Sequence, residues 1–148
     1  MSADAHHITA PHPEGLGALN VMKASLLEAG MQPSDIDYIN AHGTSTPAGD
    51  VTEMMAVRRV FGETHPPVSS TKSMTGHLLG GAGGIESVFT VLATHHQVSP
   101  PTINIFNQDP ECDLDYCANK ARELKIDAAV KNNFGFGGTN GTLVFKRV

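Results

Sequence analysis

The chain has 148 residues, of which 40% are hydrophobic and 17% charged, and its formal net charge is −5. That length allows one domain with a substantial core and is too short for two ordinary domains. An acidic chain without a basic cluster is a poor partner for nucleic acid or an anionic membrane, and no apolar run is long enough for a membrane span. With two cysteines, Cys112 and Cys117, and no visible signal peptide, we expect a cytoplasmic protein with reduced thiols, although the spacing also permits a disulfide.

The first half of the sequence predicts a helix, a strand and a second helix. Apolar residues recur at helical spacing over residues 14–29, and Gly30 is a suitable C-cap. Residues 36–40 alternate as a short strand that leads into a histidine-containing turn. Asp50 can cap the second helix, which we expect over residues 51–61.

The second half predicts a strand, a long helix and a hairpin. Residues 68–71 indicate the strand, and a helix from Gly76 or Leu78 to His96 is apolar nearly all round, which is typical of a buried helix. Four glycines in it favour close packing by another backbone: Gly80, Gly81, Gly83 and Gly84. Residues 100–117 form a loop, and strands over 128–132 and 142–146 flank a glycine-rich turn. This alternation predicts a single α/β layered domain.

Three turns carry the residues with the most specific chemistry. The first covers residues 41–47 and contains His42, the second covers 72–77 and contains His77, and the third is the glycine-rich segment 133–141. His42 directly follows a strand, so its ring is expected beyond the carboxyl edge of the sheet, where ligands bind in open α/β folds. We therefore expect the three turns to converge on one site.

The two histidines suggest stabilisation of a developing negative charge. His77 is expected at the start of a helix, where unpaired N–H groups and the helix dipole disfavour a positive charge. A neutral histidine can donate a hydrogen bond to a carbonyl, and two of them can stabilise an enolate oxygen. Lys72 and Glu86 could form a buried ion pair that orients His77.

The third turn supplies a second group of candidate site residues. Gly135, Gly137 and Gly138 allow positive φ angles and close approach of backbone N–H groups to a ligand. Phe134 and Phe136 are expected to wall the pocket.

The remaining reactive side chains give no comparable pattern. The glycines at 80–84 lack the lysine and hydroxyl residue of a phosphate loop, and no spacing resembles a zinc site, so we expect no metal. Cys112 and Cys117 lie in a loop without a helix start that would lower a thiol pKa, and we reject both as nucleophiles. The other histidines are expected to be structural or surface residues, namely His6, His7, His12, His65, His95 and His96.

The three turns, in this order and spacing, closely resemble the C-terminal half of the elongating β-ketoacyl-acyl-carrier-protein synthases, most of all the type II bacterial form. The resemblance covers essentially residues 1–148. It separates the chain from relatives in the thiolase-like superfamily: thiolases carry a catalytic cysteine near the position of Phe136, and initiating condensing enzymes pair a histidine with an asparagine. Modular polyketide synthases typically show GTGT and SNIGH where this chain has GTST from Gly43 and SMTGH ending at His77.

The resemblance implies a fold and a reaction. The fold is a thiolase-like half, layered as helix, mixed sheet and helix, and it lacks its first strand, which would leave an exposed sheet edge. The reaction is fatty-acid chain elongation by decarboxylative Claisen condensation of malonyl-acyl-carrier protein with an enzyme-bound acyl thioester. No cofactor is implied beyond the phosphopantetheine that the carrier protein brings.

The resemblance also assigns roles residue by residue. His42 and His77 would polarise the malonyl thioester carbonyl, with His42 also a candidate base. The backbone N–H of Phe136, the gating aromatic, would help to form the acyl oxyanion hole. Further matches are the supporting pair Lys72 and Glu86, the pantetheine-binding Thr44 and Thr46, and the pocket residues Phe134 and Gly137.

One expected element has no counterpart in this chain. The family's nucleophilic cysteine belongs to its N-terminal half, so the chain alone should not condense acyl groups. The implied partners are that N-terminal half, acyl carrier protein and a second copy of the full enzyme. Two alternatives stay open: a non-catalytic module that binds an acyl or pantetheine arm, and malonyl decarboxylation without condensation.

Overall fold

A five-stranded mixed sheet lies at the centre of the structure, a computed structural model that describes residues 1–148. Its strand order is β1-β7-β6-β2-β3, and a separate two-stranded sheet joins β4 and β5. In the large sheet β2 pairs in parallel with β3 and β6, whereas β7 is antiparallel to β6 and β1. The strands are β1 (Ser2–Ala3), β2 (Tyr38–Asn40), β3 (Val68–Ser69), β4 (Val98–Ser99), β5 (Arg122–Glu123), β6 (Ala128–Gly135) and β7 (Thr139–Lys146).

Helices cover both faces of this sheet. The four helices are α1 (Leu16–Ala29), α2 (Pro47–Phe61), α3 (Lys72–Thr75) and α4 (Ala82–His96). Ile39 and Val130 point into the larger core, which contains the apolar faces of α1 and α2. The neighbouring Tyr38 and Ala129 point the opposite way and pack against Ala93 of α4. Because adjacent strand residues alternate between faces, this confirms the predicted layers of helix, mixed sheet and helix. No helix combines the length and apolarity that a bilayer crossing requires.

The first helix confirms its predicted C-terminus. Gly30 caps α1 with φ 63°, and its N–H bonds back to the last carbonyls of the helix. The helix begins two residues later than predicted, because Gly15 adopts a left-handed conformation with φ 63° at the N-cap.

The predicted start of α2 at Val51, with Asp50 as its cap, is wrong. Pro47 occupies the first helical position and Thr46 is the N-cap, so the helix starts four residues earlier. Proline suits this position because its missing N–H would have had no partner there and its φ is already helical. Asp50 lies within the first turn, where its carboxylate accepts a hydrogen bond from Ser45 N at 3.1 Å.

The prediction that the long fourth helix is buried on all sides is also wrong. Helix α4 begins at Ala82, after a 3-10 turn at residues 79–81, and turns a face of small and polar side chains to the sheet. The opposite face is open: Val88 is 55% exposed, Val91 48% and Leu92 45%. Only Gly83 of the four glycines approaches another segment, since a Cβ there would lie 3.1 Å from the Asn133 side chain. Periodicity showed that the helix is apolar but not which face this chain covers.

The C-terminal hairpin is longer than predicted, and its turn is shorter. Strands β6 and β7 pair from Ala128 with Lys146 to Gly135 with Thr139, leaving a three-residue 3-10 turn at 136–138. The outer edge of β7 is paired by β1 through Ser2 and Ala3 alone. Most of this edge is therefore open within the chain, in agreement with the expected exposed sheet edge.

Candidate active site

The backbone around His42 is held by a buried carboxylate that the sequence did not single out. Strand β2 ends at Asn40, and Glu53 of α2 reaches the residues that follow it. Its Oε1 accepts from His42 N at 2.9 Å and its Oε2 from Gly43 N at 2.8 Å. Asn132 of β6 donates its side-chain amide to the same Oε1 at 3.2 Å. One carboxylate thus ties the first turn to α2 and to the central strand.

The turn after His42 fits only a glycine. Gly43 has φ +39°, and a Cβ placed on it would lie 2.6 Å from the Ser70 Cβ. Ser70 follows β3 and donates its hydroxyl to Gly43 O at 2.6 Å. Because β2 and β3 are parallel neighbours, this contact joins the ends of two strands at one edge of the sheet.

The imidazole of His42 is kept uncharged by its surroundings. Burial, followed by the positive charges of Lys72 and Lys131 and by His77, lowers the pKa of His42 to about 3. Its Nδ1 is buried without a hydrogen-bond partner in the chain. The ring of Phe134 packs against it at a centroid distance of 5.5 Å. His42 is therefore neutral at physiological pH.

His77 lies next to His42, as the convergence of the turns predicted. The two rings are 5.6 Å apart between centroids and nearly perpendicular, at 88°. The expected position of His77 at a helix start is wrong, because it lies between α3 and the 3-10 turn, before α4 begins. Its Nδ1 accepts a hydrogen bond from Leu79 N at 3.2 Å. An accepting nitrogen carries no proton, so the proton of the neutral ring is on Nε2.

The predicted ion pair between Lys72 and Glu86 is present and is part of a larger group. Lys72 Nζ lies 2.5 Å from Glu86 Oε1, and their side chains are 4% and 1% exposed. Lys131 Nζ lies 2.8 Å from Glu86 Oε2. Burial, with repulsion from Lys72, lowers the pKa of Lys131 to about 8 against the opposing attraction of Glu86. Glu86 is thus shared by two lysines.

A cavity of about 610 Å³ opens beside these groups. Thr44 and Thr46 line it, with their hydroxyl oxygens 3.1 Å apart, and Lys72 and His77 reach it from α3 and the segment that follows. Its far wall comes from the loop 102–116, which includes Tyr116. Such a cleft, mostly apolar with a few converging polar groups, is the usual form of a ligand site.

The third turn departs from its prediction. Phe136 is 77% exposed and does not wall the cavity in this chain, because the 3-10 turn directs it to solvent. Gly137 has the expected positive φ, 75°, but its N–H donates to Ile8 O at 2.8 Å rather than facing the cavity. The N-terminal segment thus binds a backbone N–H that was predicted to face a ligand. Phe134 of the third turn contacts His42.

Comparison with known proteins identifies this arrangement. The sequence matches the family described as "Beta-ketoacyl synthase, C-terminal domain" over residues 1–106. The chain belongs to the β-ketoacyl synthase family.

Similar members of the β-ketoacyl synthase family cover the whole chain. The 3-oxoacyl-[acyl-carrier-protein] synthase 2 of Coxiella burnetii is 57% identical over 151 residues, which cover 100% of this chain and 36% of that protein. The protein of the same name from Synechocystis sp. is 56% identical over 149 residues, covering 99% and 36%. A type II polyketide ketosynthase, solved in complex with its acyl-carrier protein and bound to the hexaketide, superimposes with a TM-score of 0.96 at 38% identity, covering 99% and 36%. These likenesses confirm the resemblance and the thiolase-like fold, and the chain spans about a third of its relatives' length.

Two supporting residues of this β-ketoacyl synthase chain were missed from the sequence. Glu53 belongs to a helical pattern in which a charged residue is ordinarily solvent-exposed, so no local signal marked it. Lys131 had a signal: it interrupts a run of buried residues in the predicted strand, and a lysine there requires an acceptor.

The two cysteines of this β-ketoacyl synthase chain are free, which resolves the open question of a disulfide. Burial raises the pKa of both thiols. Cys112 lines the cavity, whereas Cys117 is buried beside Ser99. Neither environment activates a thiol, because a nucleophilic cysteine needs a lowered pKa.

Proposed function

We propose that this chain supplies the malonyl-decarboxylating part of a condensing enzyme that elongates fatty acids by Claisen condensation. The observation that carries the proposal is the contact of two imidazoles, His42 and His77, of which His77 lines the cavity together with Lys72. The names of the relatives support the reaction class. The division of labour within the full-length enzyme is our inference from the residues of this chain.

Each imidazole has a defined part in the first step. His77 can donate a hydrogen bond from its Nε2–H, because its Nδ1 accepts one from Leu79 N. His42 is neutral, since burial and the neighbouring lysines hold its pKa near 3. As the malonyl carbon–carbon bond breaks, carbon dioxide leaves and the electron pair moves to the α-carbon and the thioester oxygen. Donors aimed at that oxygen stabilise the enolate, and the ammonium of Lys72 adds positive charge nearby.

The second step needs a group from outside this chain. The α-carbon of the enolate attacks the carbonyl of an acyl thioester, a carbon–carbon bond forms, and the enzyme thiolate leaves. The raised thiol pKa of Cys112 and Cys117 makes both unsuitable as that thiolate. We propose that a cysteine-bearing N-terminal half provides it, in a homodimeric enzyme served by acyl carrier protein. The exposed apolar face of α4 supports a covering partner.

Reconstitution tests this proposal. The chain alone should release no 3-oxoacyl product from acyl and malonyl carrier proteins, whereas addition of the cysteine-bearing half of a close relative should produce it. His42→Ala and His77→Ala should each abolish release of carbon dioxide from malonyl carrier protein. His96→Ala is the matched control, since His96 lies exposed at the end of α4, and it should leave the release unchanged. Product from the chain alone, or release that persists in both site variants, would overturn the proposal.

A second candidate function is binding of a pantetheine arm without catalysis. The cavity supports it, because Thr44 and Thr46 line it within this chain and need no other half. Calorimetry with pantetheine and acyl-pantetheine measures this binding, and Thr44→Val is expected to weaken it. Binding without any turnover in the reconstituted pair would favour this function over the first.

A further inference from the structure

Lys131 is a fully buried lysine near the middle of β6, with none of its surface exposed. Its ammonium faces three oxygen acceptors. Glu86 Oε2 lies at 2.8 Å and Ala41 O at 3.4 Å, and the carbonyl of Asn132 is a close third partner. A charged group is retained at such a depth only when its partners compensate for the lost water.

The three acceptors belong to the supports of the histidine pair. Ala41 immediately precedes His42, so its carbonyl fixes the entry to the first turn. Asn132 donates its side chain to Glu53, which binds the N–H of His42. Glu86 holds Lys72 with its other oxygen. Lys131 therefore contacts Glu86 directly and the backbone at Ala41 and Asn132, the two residues next to the first turn and to Glu53.

The buried charges around the site balance only when Lys131 is counted. Two carboxylates, Glu53 and Glu86, are 5% and 1% exposed, and two ammonium groups, Lys72 and Lys131, are 7% and 0% exposed. Without Lys131 the group would carry a net charge of −1. An excess negative charge beside the histidines would oppose formation of an enolate and favour protonation of His42.

We propose that Lys131 is a positioning residue, an internal cation that holds Glu86 and the Ala41 carbonyl in place so that Lys72 and His42 are set for decarboxylation. The role of Lys131 in decarboxylation rests on the proposed function, whereas its contacts with Glu86 and Ala41 are observed independently of it. It acts through Glu86 and Ala41 and does not touch the substrate.

Histidine NMR on the unmodified chain gives a test that needs no activity. His42 stays neutral above pH 7, so its ring carbon signal senses the charge of its neighbours, which are Lys72, Lys131, His77 and Glu53. As pH rises from 7 to 9.5, that signal should shift with a midpoint near 8, where Lys131 loses its proton. The shift should be absent in Lys131→Met and should move beyond the range in Lys131→Arg. A shift of equal size in Lys131→Met or in Lys131→Arg overturns the proposal, because another group would then set the charge beside His42.

The acid side of the same titration gives a second reading. In Lys131→Met the midpoint of His42 should rise by about one pKa unit, because a nearby positive charge is gone. One neighbouring charge is expected to move a pKa by about one unit, so a rise in the pKa of His42 of less than about 0.3 unit would show that Lys131 does not control the protonation of His42. If the methionine variant does not fold, the alkaline titration of Lys131→Arg decides in its place, since the shift should leave the measured range there.

Activity in the reconstituted enzyme then separates positioning from mere stability. Lys131→Ala should lower kcat for carbon dioxide release by about tenfold to a hundredfold with little change in KM, as expected when reacting groups are misplaced. Methylammonium chloride should restore much of the loss, and tetramethylammonium chloride, too large for the vacated site, should not. Unchanged kcat in a folded variant overturns the positioning role while the proposed function stands. Failure of the unmodified enzyme to release carbon dioxide contradicts the proposed function, and the NMR titrations still decide on Lys131.

Discussion

Acidification should destabilise the chain through His42, and the size of the effect can be worked out. The pKa of His42 is about 3 in the folded chain, with burial the largest cause, and about 6.5 when unfolded. Because the folded pKa is the lower one, the unfolded chain binds the proton more tightly, and the stabilisation present above pH 6.5 is lost as pH falls toward 3. At pH 5 the loss is about 2 kcal/mol relative to pH 7.5, from 1.36 kcal/mol per unit over about 1.5 units.

Urea unfolding at pH 7.5, 6.0 and 5.0 measures this loss, and His42→Gln should lack it. Asp50 provides a control of opposite sign. Burial raises its pKa to about 6, so protonation of its carboxylate on acidification stabilises the folded chain. It is partly open to solvent, so we discount its gain to at most about 1 kcal/mol. Asp50→Asn should therefore lose slightly more stability on acidification than the unmodified chain. If the His42→Gln chain and the unmodified chain lose stability alike to within about 0.5 kcal/mol, against the 2 kcal/mol expected, the buried neutral histidine is refuted.

Three further substitutions test the supports and the open face by urea unfolding. Gly43→Ala should lower the free energy of unfolding by about 2 kcal/mol, because the added Cβ meets Ser70 and φ is positive. Gly84→Ala, in open space on α4, is the control and should raise it by up to about 1 kcal/mol. Equal effects of the two substitutions would contradict the close contact at Gly43. Glu53→Gln should lower the free energy of unfolding by about 2 kcal/mol, since an amide cannot accept all three hydrogen bonds of the carboxylate. Its control, Glu63→Gln at an exposed position, should leave the free energy of unfolding unchanged. Val91→Ser should change stability by less than about 0.5 kcal/mol and reduce self-association in sedimentation, and a larger loss of stability would mean that this face is covered within the chain.

The pairing of His42 with His77 was predictable because it follows from strand order. Both turns come after short strands, and parallel neighbours deliver the residues that follow them to the same edge. The ion pair of Lys72 with Glu86 was predictable on the same basis, because a lysine in one turn and a glutamate on the next buried helix face the same edge. Composition and periodicity sufficed for these positions, since each depends on the direction of one strand or helix.

The supports of the site were harder to predict because they depend on two faces of the sheet at once. Glu53 comes from α2 on one face and Glu86 from α4 on the other, and two adjacent residues of β6, Asn132 and Lys131, bind them from opposite faces. A sequence pattern shows which residues share a face but not how far two layers reach past a strand end. The contact of Gly137 with Ile8 was missed for a similar reason, since it joins the two ends of the chain.

The distribution of these supports implies that the two steps of the proposed reaction differ in how much of their site this chain preforms. Three groups that hold His42 lie within the chain: Glu53 binds its backbone, Phe134 packs on its ring, and Lys131 contacts the carbonyl before it. Phe136, assigned to the acyl side, is exposed. A buried, charge-balanced network resists rearrangement because each group would lose a partner, whereas an exposed turn has few contacts to lose. The decarboxylating geometry is therefore expected to persist without a partner, and the acyl-binding geometry is expected to form only when a partner covers this turn.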